Sequence, residues 1–252
     1  MTRFFALLAG MLLCGGAAFA QPADVCAVSE DLLSTDVPLP HVAEAVTQAK
    51  RLQVAVVGSA SSTLRGASGV QHAYPAQLEA ELGRRLAGVA VKVVPHIQQG
   101  TTADMATTFP RLIAAEKPNL VIWQTGTTDV MLGTEQEAFR DALDKGLQTL
   151  QTSGADVILM NLQYSPRTDP MMHVGPYADA MRTAAEDRGV PLFDRMGIMK
   201  YWNDEGTFDF YSTKNDGTVE RVHQCFGRLL ADLVIGSAKP GEARPAEAKP
   251  TQ

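Results

Sequence analysis

Val54-Ala55-Val56-Val57-Gly58-Ser59-Ala60-Ser61-Ser62-Thr63 is the stretch that decides the fold of this chain. An apolar run of strand length stops at a glycine and opens into hydroxyls. A strand buried on both faces reads as such a run. In open α/β sheets, ligands bind just beyond the carboxyl ends of the strands. Hydroxyls on Ser59, Ser61, Ser62 and Thr63 at that point, with no phosphate-binding glycine loop, suggest a serine nucleophile.

Outward from this strand, strand and helix signals alternate. Apolar runs of strand length recur at Val89–Val94, Leu120–Trp123, Val157–Met160 and Val190–Phe193. Helical patterns fall between them at Pro75–Leu86, Ala103–Ala115, Gln136–Thr152 and Tyr177–Arg188. A last helix from about Thr218 to Ile235 places Phe226, Leu229, Leu230, Leu233 and Val234 on one face. Alternation of this kind predicts an α/β fold: a five-stranded parallel sheet covered by helices on both faces.

The ends of the chain carry an address. Arg3, the apolar stretch Phe4–Leu13 and Ala18-Phe19-Ala20 have the pattern of a secretory signal peptide over residues 1–20. Residues 21–50 read as a leader with a helix at Val42–Ala49, residues 51–236 as the folded domain, and residues 237–252 as a disordered tail with almost no bulky apolar side chain. The expected location is periplasmic or secreted, with no stable membrane span after signal cleavage. Cysteines Cys26 and Cys225 remain, an even count in an oxidising compartment, which predicts a disulfide with two free thiols as the alternative. No Cys or His pair has zinc-ligand spacing, so no metal is expected. With 22 basic against 28 acidic residues and no basic stripe, nucleic acid is not an expected partner.

The loops after the strands should reach one edge of the sheet. They carry Ser59–Thr63, Gln98–Thr102, Gln124–Asp129 and Asn161–Tyr164, an edge of hydroxyls and amides with few charges. Such groups can hold an oxyanion or a neutral polar substrate, although Ser, Thr and Asn also favour turns and helix caps. Met171, Met172, Met181, Met196 and Met199 with Tyr201, Trp202, Phe208, Phe210 and Tyr211 enrich the 170–211 region. They read as core packing, or as an apolar platform beside the edge.

In this order the blocks resemble those of the SGNH hydrolases, the GDSL-type esterases and lipases, over nearly all of Leu52–Ile235. Gly58–Thr63 matches their Gly-Asp-Ser-x-Ser/Thr block, Gly100 their second-block glycine and Gly126-Thr127-Thr128-Asp129 their Gly-x-Asn-Asp block. Glu220-Arg221-Val222-His223 is the nearest match to their Asp-x-x-His. The departures are explicit. Aligned on Gly58, the nucleophile position is Ala60; a slip of one residue puts the nucleophile at Ser61, with Ser59 and Ser62 as alternatives. The oxyanion asparagine is Thr128, for which Gln124 or Asn161 could substitute. His223 falls inside the last helix, and His41, His72, His96 and His173 are worse placed.

The resemblance implies a three-layer α/β/α sandwich, flavodoxin-like in type, and a secreted serine esterase acting on a small-molecule or glycan ester without metal or cofactor. In that reading Ser61 attacks the carbonyl, and His223, oriented by Glu220, takes the proton. Gly100, Gly126, Thr128 and Asn161 surround the oxyanion. The altered blocks support a second reading: a catalytically silent domain of the same fold that binds a glycan, an envelope component or a protein partner.

Overall fold

A computed structural model describes residues 24–66, 68–212 and 217–238. The signal-peptide pattern over residues 1–20 and most of the tail lie outside the described residues. Five strands, β1 (Arg51–Gly58), β2 (Ala90–Ile97), β3 (Leu120–Gln124), β4 (Asp156–Met160) and β5 (Leu192–Phe193), form one sheet in the order β2-β1-β3-β4-β5. Every neighbouring pair is parallel; Val54, for example, lies opposite Val93 on one side and Leu120 on the other. This is the expected five-stranded parallel sheet. Pro95 is tolerated in β2 because that strand lies at an edge.

The helices in chain order are α1 (Pro40–Glu44, continued by a π-helical turn through Ala49), α2 (Gly69–His72), α3 (Tyr74–Arg85), α4 (Thr102–Thr107), α5 (Phe109–Glu116), α6 (Thr127–Leu132), α7 (Gln136–Gln151), α8 (Gly175–Arg188), α9 (Arg195–Asp204) and α10 (Thr218–Ser237). Side-chain alternation along the strands divides them into two layers. Leu52, Val54, Val56, Ile122, Ile158 and Met160 pack with residues of α1, α3, α9 and α10. Ala55, Val57, Val121, Trp123, Val157 and Leu159 pack with residues of α4, α5, α7 and α8. Both faces of the central strands are covered, which is why they read as unbroken apolar runs.

The single helix expected over Ala103–Ala115 is two helices, α4 and α5. Pro110 has no N–H to donate to Ala106, and its ring would crowd that carbonyl, so the first helix stops and a second starts with proline in its first turn. The leader is integral to the core, with Leu39, Val42 and Ala45 buried in the α10 layer. Cys26 and Cys225 form the expected disulfide across 199 residues of sequence, tying the leader to α10. No helix among the described residues is long and apolar enough to cross a membrane.

The α3–α10 contact depends on a missing side chain. A Cβ on Gly227 would stand 2.4 Å from Gln77 Cβ and 2.8 Å from Leu78 N, so main chain would have to move. Gly227→Ala is expected to cost about 1–3 kcal/mol by overpacking. A lowered urea midpoint at unchanged m-value checks this; an unchanged midpoint would show that the helices can part without cost.

Candidate functional site

The site is built where β1 and β3 end side by side. After Gly58 the chain makes a 3-10 turn over Ala60–Ser62, closed by Ser62 N–H donating to the Ser59 carbonyl at 2.8 Å. Gln124, the last residue of β3, gathers this turn. Its Oε1 accepts from Ser59 N–H at 2.8 Å, Ser59 Oγ at 3.1 Å and Ser62 Oγ at 2.9 Å. The backbone donor fixes which end of the amide faces the serines. Gly58 permits the close approach, since a Cβ there would lie 2.1 Å from Ser62 Oγ and 3.0 Å from Gln124 Oε1.

Each serine then meets a different partner. Ser62 is buried, and its hydroxyl lies 2.9 Å from Tyr74 OH. Burial pushes the Tyr74 phenol up to about 12, so it stays protonated. Ser61 Oγ lies 3.2 Å from Ser59 Oγ and accepts from Arg195 Nη1 at 3.1 Å. Ala60, at the family's nucleophile position, is exposed. Ser61, and not Ala60, lines the cavity beyond the sheet.

Arg195 opens α9 directly after β5. Asn161, beyond β4, fixes that opening. Its Nδ2 donates to Asp194 Oδ1 at 2.7 Å and its Oδ1 accepts from Met196 N–H at 3.0 Å, while Asp194 caps the helix by accepting from Gly197 N–H at 2.8 Å. The guanidinium is 1% exposed, and burial lowers its pKa to about 10, so it remains charged at neutral pH. A fully buried arginine ordinarily has an anionic partner. Among the described residues Arg195 has no ion pair, and its Nε and Nη2 have no hydrogen-bond partner.

His223 lies on α10 facing α3. Its Nδ1 accepts from Tyr74 N–H at 3.0 Å. Burial, reinforced by the charge on Arg195, holds the ring at about 4, so it is neutral at pH 7. A neutral imidazole with its lone pair committed at Nδ1 carries its proton on Nε2. That tautomer is the reverse of the one a serine hydrolase uses, where Nδ1–H points to a carboxylate and Nε2 accepts the serine proton.

A cavity of about 210 Å³ joins these groups. Ser61, Arg195 and His223 line it together with Tyr164, Phe210 and Phe226. Of the residues expected at the site, Ser61 and His223 are brought to one cavity, and Ser59 and Ser62 stand behind Ser61. The other residues expected at the site lie elsewhere. Glu220 is exposed, and the Tyr74 backbone occupies the His223 nitrogen it was expected to hold. Asn161 is committed to the start of α9. Gly100 and Gly126 are turn residues with φ of 139° and 90°, the latter against Leu162 and Met181. Neither they nor Thr128 line the cavity. Asp129 of the third block accepts from Thr102 N–H at 2.9 Å and Thr102 Oγ1 at 2.7 Å, binding the β2 and β3 loops together.

Sequence reasoning missed Arg195, Tyr74 and the organising role of Gln124. Arg195 had a signal: Asp194-Arg195 follows the fifth apolar run, as Ser59 follows the first. Tyr74 had none, because its part is played largely by a backbone N–H. The methionine and aromatic segment contributes both readings at once, with Met199 and Phe210 lining the cavity and Trp202 and Phe208 packing the core. Among the described residues no cluster of His, Cys, Asp or Glu could hold a metal ion.

No curated protein matches the chain in sequence. Solved structures do match in fold. The TesA structure is 22% identical over 75% of this chain and 99% of its own, with a TM-score of 0.55. The acetylxylan esterase Axe2 from Geobacillus stearothermophilus, as a catalytic mutant, is 18% identical over 72% of this chain and 93% of its own, with a TM-score of 0.55. A two-domain esterase active on acetylated mannans is 11% identical, with a TM-score of 0.67 over 86% of this chain and 59% of its own. These likenesses place the sheet and its helical layers in the α/β/α fold of the SGNH hydrolases. The sequence pattern of one family runs through residues 25–240, from just before the first disulfide cysteine to past the end of α10, and by it the chain belongs to the Non-GDSL lipase-like family.

Proposed function

We propose that this chain is a secreted or periplasmic ligand-binding protein on the SGNH hydrolase frame, whose cavity at Ser61, Arg195 and His223 is a recognition site and not a hydrolytic one. The observation that carries this reading is the Tyr74 N–H on His223 Nδ1 at 3.0 Å. It leaves Nε2 as a donor and removes the base that Ser61 would need. Among the described residues no other base lies beside Ser61 Oγ to replace it. Its described partners are the Ser59 hydroxyl, the neutral Gln124 amide at 3.5 Å and a guanidinium. The disulfide and the N-terminal signal pattern support the location.

A second reading has its own observation. Ser61 and His223 line one cavity, and a guanidinium donor on Ser61 Oγ favours the alkoxide form. In that reading Ser61 cleaves O-acyl esters, with acylated glycans as the substrate class by analogy with the acetylxylan and acetylated-mannan esterases.

A fluorophosphonate probe, with p-nitrophenyl acetate and acetylated xylan as substrates, separates the two. The wild type is expected to label and hydrolyse no faster than Ser61→Ala. Labelling and turnover that Ser61→Ala abolishes, while Ser59→Ala and Ser62→Ala retain them, would establish the esterase instead.

A further inference from the structure

We infer that the cavity takes a small carboxylate ligand with an apolar body, held by the free edge of Arg195. This deepens the binding reading above by naming the class of ligand. Arg195 is 1% exposed, lines the cavity and spends one donor, Nη1, on Ser61. Its Nε and Nη2 are buried without partners. Those two nitrogens form one side of the guanidinium plane, the side that a carboxylate grips with two parallel hydrogen bonds. Leaving charged donors buried and unmatched is costly. An anion arriving there supplies the missing partner.

The surroundings select the kind of anion. Tyr74, whose phenol is neutral, and His223 are, among the described residues, the ionisable groups that interact with Arg195. His223 is neutral and contributes a donor, not a second cation. Among the described residues one guanidinium faces the cavity, which suits a monoanion with two coplanar oxygens better than a phosphate dianion. The Asp209 carboxylate also lines the cavity, but it is exposed and its Oδ1 accepts from Tyr211 and Ser212 N–H at 2.9 and 3.1 Å. It stands where water screens it. The wall also carries polar groups at Gln163, Ser165, Ser212 and Thr218, but Tyr164, Met199, Phe210, Val222 and Phe226 give it an apolar and aromatic side that fits an alkyl or ring body.

Calorimetric titration of the disulfide-intact protein with hexanoate, hexanamide and hexyl phosphate tests the inference. Hexanoate is expected to bind saturably, and hexanamide about 10–100-fold more weakly, because the amide forfeits the charge-assisted pair. Arg195→Met should lose hexanoate binding by a similar factor while keeping its fold, since an apolar side chain replaces an uncompensated buried charge. A raised melting temperature for the unliganded variant reports that directly. Equal binding of hexanoate by Arg195→Met, or equal affinity of the amide, overturns the carboxylate assignment and leaves the recognition reading standing. Tighter binding of hexyl phosphate than of hexanoate overturns it in favour of a phosphate. Ser61-dependent hydrolysis of hexanoate esters would overturn the recognition reading instead.

Discussion

Removing the Cys26–Cys225 disulfide should be the most damaging single change to stability. The bond closes 199 residues of sequence, almost the whole described domain. In the chain-entropy model a loop of that length is worth about 5 kcal/mol, because the reduced chain regains freedom that the cross-link had removed from the unfolded state. Both cysteines are buried, at 5% and 1% exposure, in the layer that packs α1 and α10 on the sheet. Loss of the bond also frees the leader, whose Leu39, Val42 and Ala45 belong to that core. Domains of this size are stable by about 5–15 kcal/mol in all, so the double variant Cys26→Ser/Cys225→Ser should be marginal. Urea unfolding of this variant beside the oxidised wild type measures the difference. A loss below about 1 kcal/mol would mean that the leader contributes little and that the denatured chain is already compact.

The same bond shows how far the sequence could be read. The pairing followed from a count of two cysteines and a signal pattern, and the central strands from apolar runs that only two covered faces can produce. Helix boundaries are legible wherever proline or glycine punctuates them, and Pro110, inside an otherwise continuous helical pattern, is the residue that divides α4 from α5. The candidate site was legible as a place but not as chemistry. Ser61 and His223 could be nominated because family blocks and helix spacing point to them. The partner of His223 is a backbone N–H from residue 74, at a sequence distance of 149, and main-chain donors leave no trace in residue type. Arg195 looked like an ordinary charge at a helix start. Only packing shows that the guanidinium is buried and that its neighbours leave two donors free.

Acid should destabilise the protein through His223 before it reaches the carboxylates. The ring has an ordinary value of 6.5 and is held at about 4 in the fold. The unfolded chain therefore binds a proton at pH values where the native state refuses it. Stability is fully present above about pH 6.5 and is lost as pH falls through the window down to 4. The loss amounts to about 2 kcal/mol by pH 5 and about 3 kcal/mol once the ring is charged in both states. Asp104 and Asp204, whose carboxyls are held below 3.8, act in the same direction but only at lower pH. Asp156, raised by burial, acts in the opposite direction, since protonating it relieves a buried charge. His223→Asn isolates the imidazole, because Asn Oδ1 can stand where Nδ1 stands and still accept from Tyr74 N–H. The variant should match the wild type near pH 8 to within about 1–2 kcal/mol, the usual scale of a buried substitution. It should show a flatter stability profile between pH 7 and pH 5. An equal slope in both proteins would place the titrating group elsewhere. A native-state titration of the ring by NMR adds the chemical half of the argument. A midpoint near 4 with the proton on Nε2 is the signature of a histidine that cannot act as base, whereas a midpoint near 6.5 with the proton on Nδ1 would return His223 to the esterase reading.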